Sequence, residues 1–261
     1  PALQPYRELL DLHTGVYFDS GLDEATYAQL GAAVDDPAAW TWLKTEQLGA
    51  LLAQHADQCW FHWELEFPEA FGPEEPGFDV LVGNPPYFTF RQSRFVRATY
   101  GYIIQGVVNI ASLFVARALE LLRNQGYLSY LLPKSLLRVQ SYSALRDHLL
   151  KYRLNLLGDF GLLFKDVRGE QIVLRLENAL HATSMGLVAI DVPTDNKQFD
   201  RYHVSRRFLK ACASWPTQVT ELDEQVFWKL KDGATELGRI AGIFRGLPIG
   251  ANSPLVAETR H

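Results

Sequence analysis

The sequence predicts an α/β protein, in which buried strands alternate with helices along the chain. Two observations indicate this. Short apolar runs that suit buried strands recur at residues 78–82, 127–132, 154–160 and 171–176. Segments with apolar residues at helical spacing separate the first three of these runs. This strand–helix order is typical of an α/β sheet with right-handed crossover connections.

The part of the chain before residue 78 predicts mainly helices, up to about residue 57. Pro37, directly after Asp36, suits the first turn of a helix and marks one start point. An aromatic segment follows at 59–68, which we expect to be partly extended. Residues 72–77 are rich in Gly, Pro and Glu and predict a turn into the first strand.

The later elements are predicted from the residues that start or stop helices and strands. A wide apolar face predicts a helix over 109–123, and Gly126 is expected to break it before the next strand, which Pro133 stops. Ser141 or Ser143 is expected to cap a helix that reaches residue 152. The pattern is weaker beyond residue 180, where we predict a candidate strand over 187–192, a helix over 219–231 and a glycine-punctuated, strand-like passage over 237–250.

Composition limits the class of protein. With 261 residues and 48% hydrophobic residues, the chain can bury one sizeable core and leaves room for a second small unit. The two cysteines, Cys59 and Cys212, have no neighbours at ligand spacing, so we expect reduced thiols of a cytoplasmic protein and no metal site. The longest apolar stretch, 103–122, contains charged residues, and the chain opens without an apolar leader. These features predict no membrane association.

Charge is distributed unevenly along the chain. Residues 1–80 carry 2 basic and 15 acidic side chains, whereas residues 81–261 carry 23 basic and 15 acidic ones. A polyanion would be repelled by the first part and attracted by the second. The acidic part is also compatible with a solvated helical surface.

The first predicted strand ends in Asn84-Pro85-Pro86-Tyr87, which suits the methylation of an NH2 group. An amide-like nitrogen is a poor nucleophile until both of its protons are accepted, here by the side-chain oxygen of Asn84 and the carbonyl of Pro85. The two prolines stiffen the loop, and Tyr87 offers a flat face for a planar base or amide. A plain Pro-Pro turn after a strand is the structural alternative.

The residues around this tetrapeptide resemble DNA adenine-N6 methyltransferases of the gamma motif order, and most of all the type IIG restriction–modification proteins. The likeness covers residues 58–180 well and 235–252 weakly. It is carried by the segments 61–71, 77–87, 109–114, 126–133, 159–164 and 171–174 and, weakly, by 245–250.

The resemblance implies a function and a set of site residues. The chain would transfer a methyl group from S-adenosylmethionine to adenine N6 in double-stranded DNA. Asn84, Pro85, Pro86 and Tyr87 would be catalytic, with Asn84, Pro85 and Phe114 lining the cofactor. Tyr87 and Phe164 would stack on the flipped base. Phe114 could equally be a core residue, and Phe164 could equally cap the sheet.

Three arginines follow the catalytic loop at three-residue spacing, namely Arg91, Arg94 and Arg97. They could contact DNA phosphates. A solvated helical face would produce the same spacing.

The resemblance also implies a partial Rossmann-like methyltransferase sheet. The expected divisions are a helical segment at 1–75, a catalytic core at 76–180, and a linker with the start of a target-recognition domain at 181–261. The glycine-rich cofactor turn that precedes the tetrapeptide in the family is absent; Gly158-Asp159-Phe160-Gly161 has the wrong position. We therefore expect a fragment whose missing part lies in a longer polypeptide or an adjacent subunit. The alternatives are a protein-glutamine or RNA methyltransferase, and a truncated, non-catalytic remnant that binds DNA.

Overall fold

The computed structural model describes residues 3–16, 24–45, 49, 60–89, 94–106, 109–164, 169–180, 186–194 and 198–235. The chain divides into two compact units, Pro1–Val219 and Thr220–His261. The helices of the first unit are α1 (Gln4–Val16), α2 (Glu24–Ala33), α3 (Pro37–Leu43), α4 (Trp63–Glu66), α5 (Arg94–Tyr100), α6 (Ala111–Leu121), α7 (Ser135–Arg138), α8 (Ser143–Leu149) and α9 (Arg206–Ala211).

Six strands form one mixed sheet, which confirms the α/β class. They are β1 (Phe78–Gly83), β2 (Leu122–Pro133), β3 (Arg153–Gly161), β4 (Gln171–Glu177), β5 (Leu187–Pro193) and β6 (Phe199–Ser205). Their order across the sheet is β1-β2-β4-β3-β5-β6. The candidate strand over 187–192 and the four earlier strands are thereby confirmed.

The pairing directions determine where the site lies. β1 is parallel to β2, β3 is parallel to β5, and β4 runs antiparallel between β2 and β3. The carboxyl ends of β1, β2 and β3 therefore meet the start of β4 at one edge of the sheet. Ligands of α/β sheets bind beyond such carboxyl ends.

Aromatic packing holds β1 in place. The ring of Phe78 makes edge-to-face contacts with Trp63, Phe67 and Phe71 at centroid distances of 5.6, 5.4 and 5.2 Å. The aromatic segment that we expected to be partly extended contains the helical turn α4. Gly77 has a φ of 125°, and a Cβ there would lie 2.3 Å from the backbone nitrogen of Arg123, so only glycine fits this turn.

Two local predictions were wrong. β2 begins directly after α6 at Leu122 and runs through Gly126, with an irregular register between the partners of Phe78 and Val80. This irregularity is a β-bulge in β2, and it accommodates Gly126, which we expected to separate the helix from the strand. Neither serine caps α8 with its side chain; Ser143 instead donates to Gln105 Oε1 at 2.7 Å.

The sheet continues beyond residue 180, because β5 pairs with β3 and β6 pairs with β5. The expected boundary at 180 therefore lies inside the sheet, whereas the division between compact units follows Val219. The helix predicted over 219–231 is α10 (Glu221–Gly233) in the second unit. Its start is fixed by a reciprocal capping box between Thr220 and Asp223.

The N-terminal helices bury a small cluster of their own, formed by Leu12, Leu30, Trp40 and Leu43. As predicted, α3 begins with Pro37 in its first turn, and Asp36 caps it by accepting from two backbone N–H groups. No helix in the described ranges is long and apolar enough to cross a membrane.

Candidate functional site

The tetrapeptide Asn84-Pro85-Pro86-Tyr87 leaves the carboxyl end of β1 as an ordered loop. Asn84 and Pro86 are exposed, Pro85 is buried and Tyr87 is half-buried. The Tyr87 hydroxyl donates to Asn84 Oδ1 at 2.5 Å. Burial raises the pKa of Tyr87, so its hydroxyl remains a donor at neutral pH. The loop therefore presents an amide oxygen whose orientation is fixed by the tyrosine.

The chain after the tetrapeptide is tied to the start of α6. The Ile110 N–H donates to the Phe88 carbonyl at 2.9 Å, and Thr89 forms an isolated antiparallel bridge with Asn109. Asn109 Oδ1 in turn accepts from the Ala111 N–H at 3.0 Å. This connects the loop to the helix that carries Phe114. Phe114 is 42% exposed, which is high for a core residue on an apolar helix face.

A cavity of about 440 Å³ opens beside Tyr87 at the same edge of the sheet. Its volume lies in the range of small-molecule sites, roughly 300–1,000 Å³. Its walls come from the ends of β2 and β4 and from α7, and the lining residues are Tyr87, Asn109, Pro133, Lys134, Ser135, Arg138, Val139, Gly169, Glu170 and Gln171.

Lys134 joins two carboxylates at the base of this cavity. Its Nζ lies 2.9 Å from Asp159 Oδ2 and 3.0 Å from Glu170 Oε2. Asp159 is only 6% exposed and also accepts from the Thr217 hydroxyl at 2.6 Å. Burial opposes the charge on Lys134, but its hydrogen bonds to Asp159 and Glu170 outweigh burial and raise the pKa of Lys134. The network joins β2, β3 and the segment before β4.

Phe164 lies just beyond β3, where the structure ties the chain back to β4. Gly161 ends the strand with a φ of 62°, and the Leu163 N–H donates to Gln171 Oε1 at 2.9 Å. Gln171 is 1% exposed, lines the cavity and donates to the Gly169 carbonyl. Phe164 itself is 44% exposed. The structure thus brings the segment with Phe164 to the cavity beside Tyr87.

The three predicted phosphate contacts are placed only in part. Arg91 lies outside the described residues. Arg94 begins α5, and its side chain is likewise outside the description. Arg97 is exposed in the same helix. Arg97 does not line the cavity beside Tyr87.

Sequence reasoning missed Lys134, Arg138, Asp159 and Glu170. One available signal was position, because Lys134 and Ser135 directly follow the proline that stops β2, at the ligand-binding edge. The pairing of Lys134 with Asp159 and Glu170 could not be found, because α7, α8 and most of β3 lie between Lys134 and Asp159 in the sequence. Asp159 belongs to the Gly158–Gly161 stretch that we excluded as a cofactor turn, and its carboxylate binds Lys134.

The other side of β1 is open in the part of the chain that the structure describes, where β2 is its one partner strand. Val80 is 54% exposed and Val82 is 76% exposed. Asn84 is exposed at the end of this edge strand, Pro85 after it is buried, and Phe114 lies on α6 and is 42% exposed. Among the described residues, no group of three or more His, Cys, Asp or Glu side chains could hold a metal ion.

Comparison with known protein families gives a match to the central part of the chain. Residues 41–163 match the Eco57I restriction-modification methylase family. That range includes the tetrapeptide, α6, β2 and all of β3.

Two curated proteins are similar to parts of the chain. A putative type II restriction enzyme and methyltransferase of Methanocaldococcus jannaschii is 33% identical over 93 residues, which are 34% of this chain and 7% of that protein. The type II restriction enzyme and methyltransferase Eco57I of Escherichia coli is 27% identical over 189 residues, which are 67% of this chain and 19% of that protein. The chain thus spans a fifth or less of these relatives.

Solved structures are similar over part of the chain. The type IIG restriction endonuclease BpuSI superposes with a TM-score of 0.42 at 16% identity, covering 52% of this chain and 20% of that one. A putative class I S-adenosylmethionine-dependent methyltransferase from Listeria monocytogenes gives a TM-score of 0.36 at 18% identity, and the match covers 41% of this chain and 33% of that one.

Proposed function

We propose that this protein methylates adenine N6 in double-stranded DNA, because residues 41–163 match the Eco57I restriction-modification methylase family. The observation that carries the proposal is the position of Asn84-Pro85-Pro86-Tyr87. The loop follows β1 at the carboxyl edge of the sheet, next to a cavity lined by Tyr87. DNA as substrate is also supported by the excess of basic over acidic side chains after residue 80.

The target adenine must leave the base stack before its amino group can reach Asn84. Asn84 Oδ1 and the Pro85 carbonyl would each accept one of its protons, which frees the lone pair of the nitrogen. The Tyr87 hydroxyl occupies one lone pair of Oδ1 and leaves the second for the target. The ring of Tyr87 would stack on the base, with Phe164 on the other face. Positioning would supply most of the acceleration.

Three of the described residues would contact the cofactor S-adenosylmethionine. S-adenosylmethionine, when bound, supplies the methyl group in activated form as a sulfonium. Phe114 offers an exposed aromatic face on α6, the helix whose start is hydrogen-bonded to the chain just after the catalytic loop, and Asn84 and Pro85 lie in that loop. We propose these three residues as the cofactor wall.

The test is methyl transfer from radiolabelled S-adenosylmethionine to duplex DNA by the protein as its gene encodes it, followed by digestion and separation of the nucleosides. We expect label in N6-methyl-2′-deoxyadenosine and its loss in Asn84→Ala. Asn124→Ala, which makes the same change at an exposed position in β2, is the matched control and should retain transfer.

Parallel reactions with RNA and with protein separate the other acceptors. Label in RNA or in glutamine, with none in DNA, would identify a different methyltransferase. Label in N4-methylcytosine would correct the base. No transfer to any acceptor, with DNA binding retained, would identify a non-catalytic remnant and refute the proposal.

A further inference from the structure

Two of the described residues that line the cavity beside Tyr87 are cations, and their surroundings differ. The charge of Lys134 is compensated by Asp159 and Glu170 at 2.9 and 3.0 Å. Arg138 also lines the cavity and is exposed, and within the described ranges it makes no ion pair or side-chain hydrogen bond. Among the described lining residues, Arg138 is therefore the cation that is not bound to a carboxylate.

The backbone that carries Arg138 is held by buried donors. Arg146, only 3% exposed, donates to the carbonyls of Leu136 at 2.8 Å and Val139 at 3.0 Å, on either side of Arg138. The Trp215 N–H donates to the Leu137 carbonyl at 2.8 Å. A guanidinium on a fixed turn loses less freedom when it binds a ligand, because its attachment point is already ordered.

The segments that carry Lys134 and Glu170 are fixed as well. The Lys134 N–H donates to the Glu170 carbonyl at 2.9 Å, and the Lys134 ammonium binds the carboxylate of the same residue. Tyr87 supplies an aromatic face on the side of the catalytic loop. The cavity therefore combines an aromatic wall with one unpaired guanidinium, on walls that are both tied to the sheet.

A nucleotide presents the complementary pair of groups, a planar base and a phosphate. Guanidinium groups bind phosphate oxygens with two parallel hydrogen bonds, which suits Arg better than Lys. We propose that Arg138 binds a phosphodiester that flanks the flipped target nucleotide, while Tyr87 contacts its base. This inference rests on the proposed function, and it assigns a second phosphate contact besides the arginines after the catalytic loop.

The test is a double cycle between Arg138 and single phosphates of the DNA. The probe is a duplex oligonucleotide that contains the methylated site, identified by sequencing DNA methylated by the protein. In two further duplexes, the phosphate on the 5′ or the 3′ side of the target adenine is an uncharged methylphosphonate. Dissociation constants are measured by fluorescence anisotropy with the protein as its gene encodes it.

We expect Arg138→Ala to weaken binding of the unmodified duplex about tenfold, as for the loss of a hydrogen bond to a charged group. One of the two methylphosphonates should weaken binding to the wild-type protein by a similar factor. The same methylphosphonate should weaken binding to Arg138→Ala by less than about twofold, because the contact is already absent in that variant. The salt dependence of binding should also fall by about one phosphate contact in Arg138→Ala.

Arg117→Ala is the matched control. Arg117 is an exposed arginine on α6 that is ion-paired with Glu120, and it does not line the cavity. This variant should keep both the wild-type affinity and the wild-type response to methylphosphonate. Thermal melting checks folding; if Arg138→Ala does not fold, Arg138→Gln enters the same cycle.

Two results would overturn the assignment. One is wild-type affinity of the arginine variant for the unmodified duplex. The other is that each methylphosphonate weakens binding to the wild-type protein and to Arg138→Ala by the same factor, which means that no tested phosphate couples to Arg138. If wild type methylates adenine but the coupling is absent, only the role of Arg138 is refuted. If wild type methylates no DNA, the proposed function fails, and this inference fails with it.

Discussion

Replacing Lys134 by methionine should destabilise the protein through Asp159. The change keeps most of the volume of the side chain and removes the ammonium that lies 2.9 Å from Asp159 Oδ2. Asp159 is 6% exposed and would keep the Thr217 hydroxyl at 2.6 Å as its strong hydrogen-bond donor. A carboxylate held in this environment without a cation is costly, because it is separated from water and from its counter-charge.

The size of the effect follows from the burial of the three groups. Breaking a buried ion pair by removing one partner costs about 3–5 kcal/mol. The side chain of Lys134 is 13% exposed and that of Glu170 is 48% exposed, so water reaches one side of the network. We therefore expect the low end, about 3 kcal/mol. For a protein of this size that corresponds to a fall in melting temperature of about 6–12 °C.

The assay is denaturant unfolding of the purified protein, followed by circular dichroism. Lys134→Met combined with Asp159→Asn should recover much of the loss, because the uncompensated charge is removed. Lys210→Met, at an exposed position in α9, is the matched control and should change stability by less than about 0.5 kcal/mol. A loss below about 1 kcal/mol in Lys134→Met, or a double variant no more stable than the single one, would refute the reasoning.

Three further predictions concern the base, the pH dependence and the cofactor. Tyr87→Ala should weaken DNA binding by about 1–3 kcal/mol, whereas Tyr87→Phe keeps the ring and should leave affinity nearly unchanged; equal losses would identify the hydroxyl as the main contact. Burial, with a smaller contribution from the charge of Lys151, lowers the pKa of His148. The free energy of unfolding should therefore be fully retained above pH 6.5, and it should decrease as the pH falls through the lowered pKa of His148 in the folded protein. Urea titrations at several pH values measure this dependence, and His148→Gln should remove it. The 261-residue chain should bind S-adenosylmethionine with a dissociation constant at or above roughly 1 mM in calorimetry; micromolar binding would show that a complete cofactor site exists in this chain.

The elements that sequence predicted well are those set by local periodicity. The apolar run that became β1 and the wide apolar face of α6 identify themselves within a few residues. The wrong expectations came from local signals that tertiary contacts overrule. Gly126 reads as a break, yet its backbone pairs with Asn178, whose side chain also donates to the carbonyl of Leu122 and holds the bulge within β2.

The cavity could not be predicted, because it depends on long-range pairing. Its walls meet only because β4 enters between β2 and β3, and no periodicity within one strand specifies that order. Lys134, Asp159 and Glu170 then lie together although they come from three different segments. The tetrapeptide itself was visible in the sequence, because its chemistry is contained in four consecutive residues.

The hydrogen bond between Tyr87 and Asn84 gives the tyrosine a second role besides stacking. An amide group can present either its oxygen or its nitrogen, and only the oxygen can accept a proton from the target amino group. The hydroxyl donor at 2.5 Å keeps Oδ1 oriented and leaves one lone pair for the target. Loss of the hydroxyl alone should therefore slow methyl transfer, by about 3–10-fold if the bond is worth a typical 0.5–1.5 kcal/mol, while DNA affinity is unchanged. Loss of the ring should lower both the rate and the affinity, so comparing the two quantities in Tyr87→Phe and Tyr87→Ala separates orientation of Asn84 from stacking on the base.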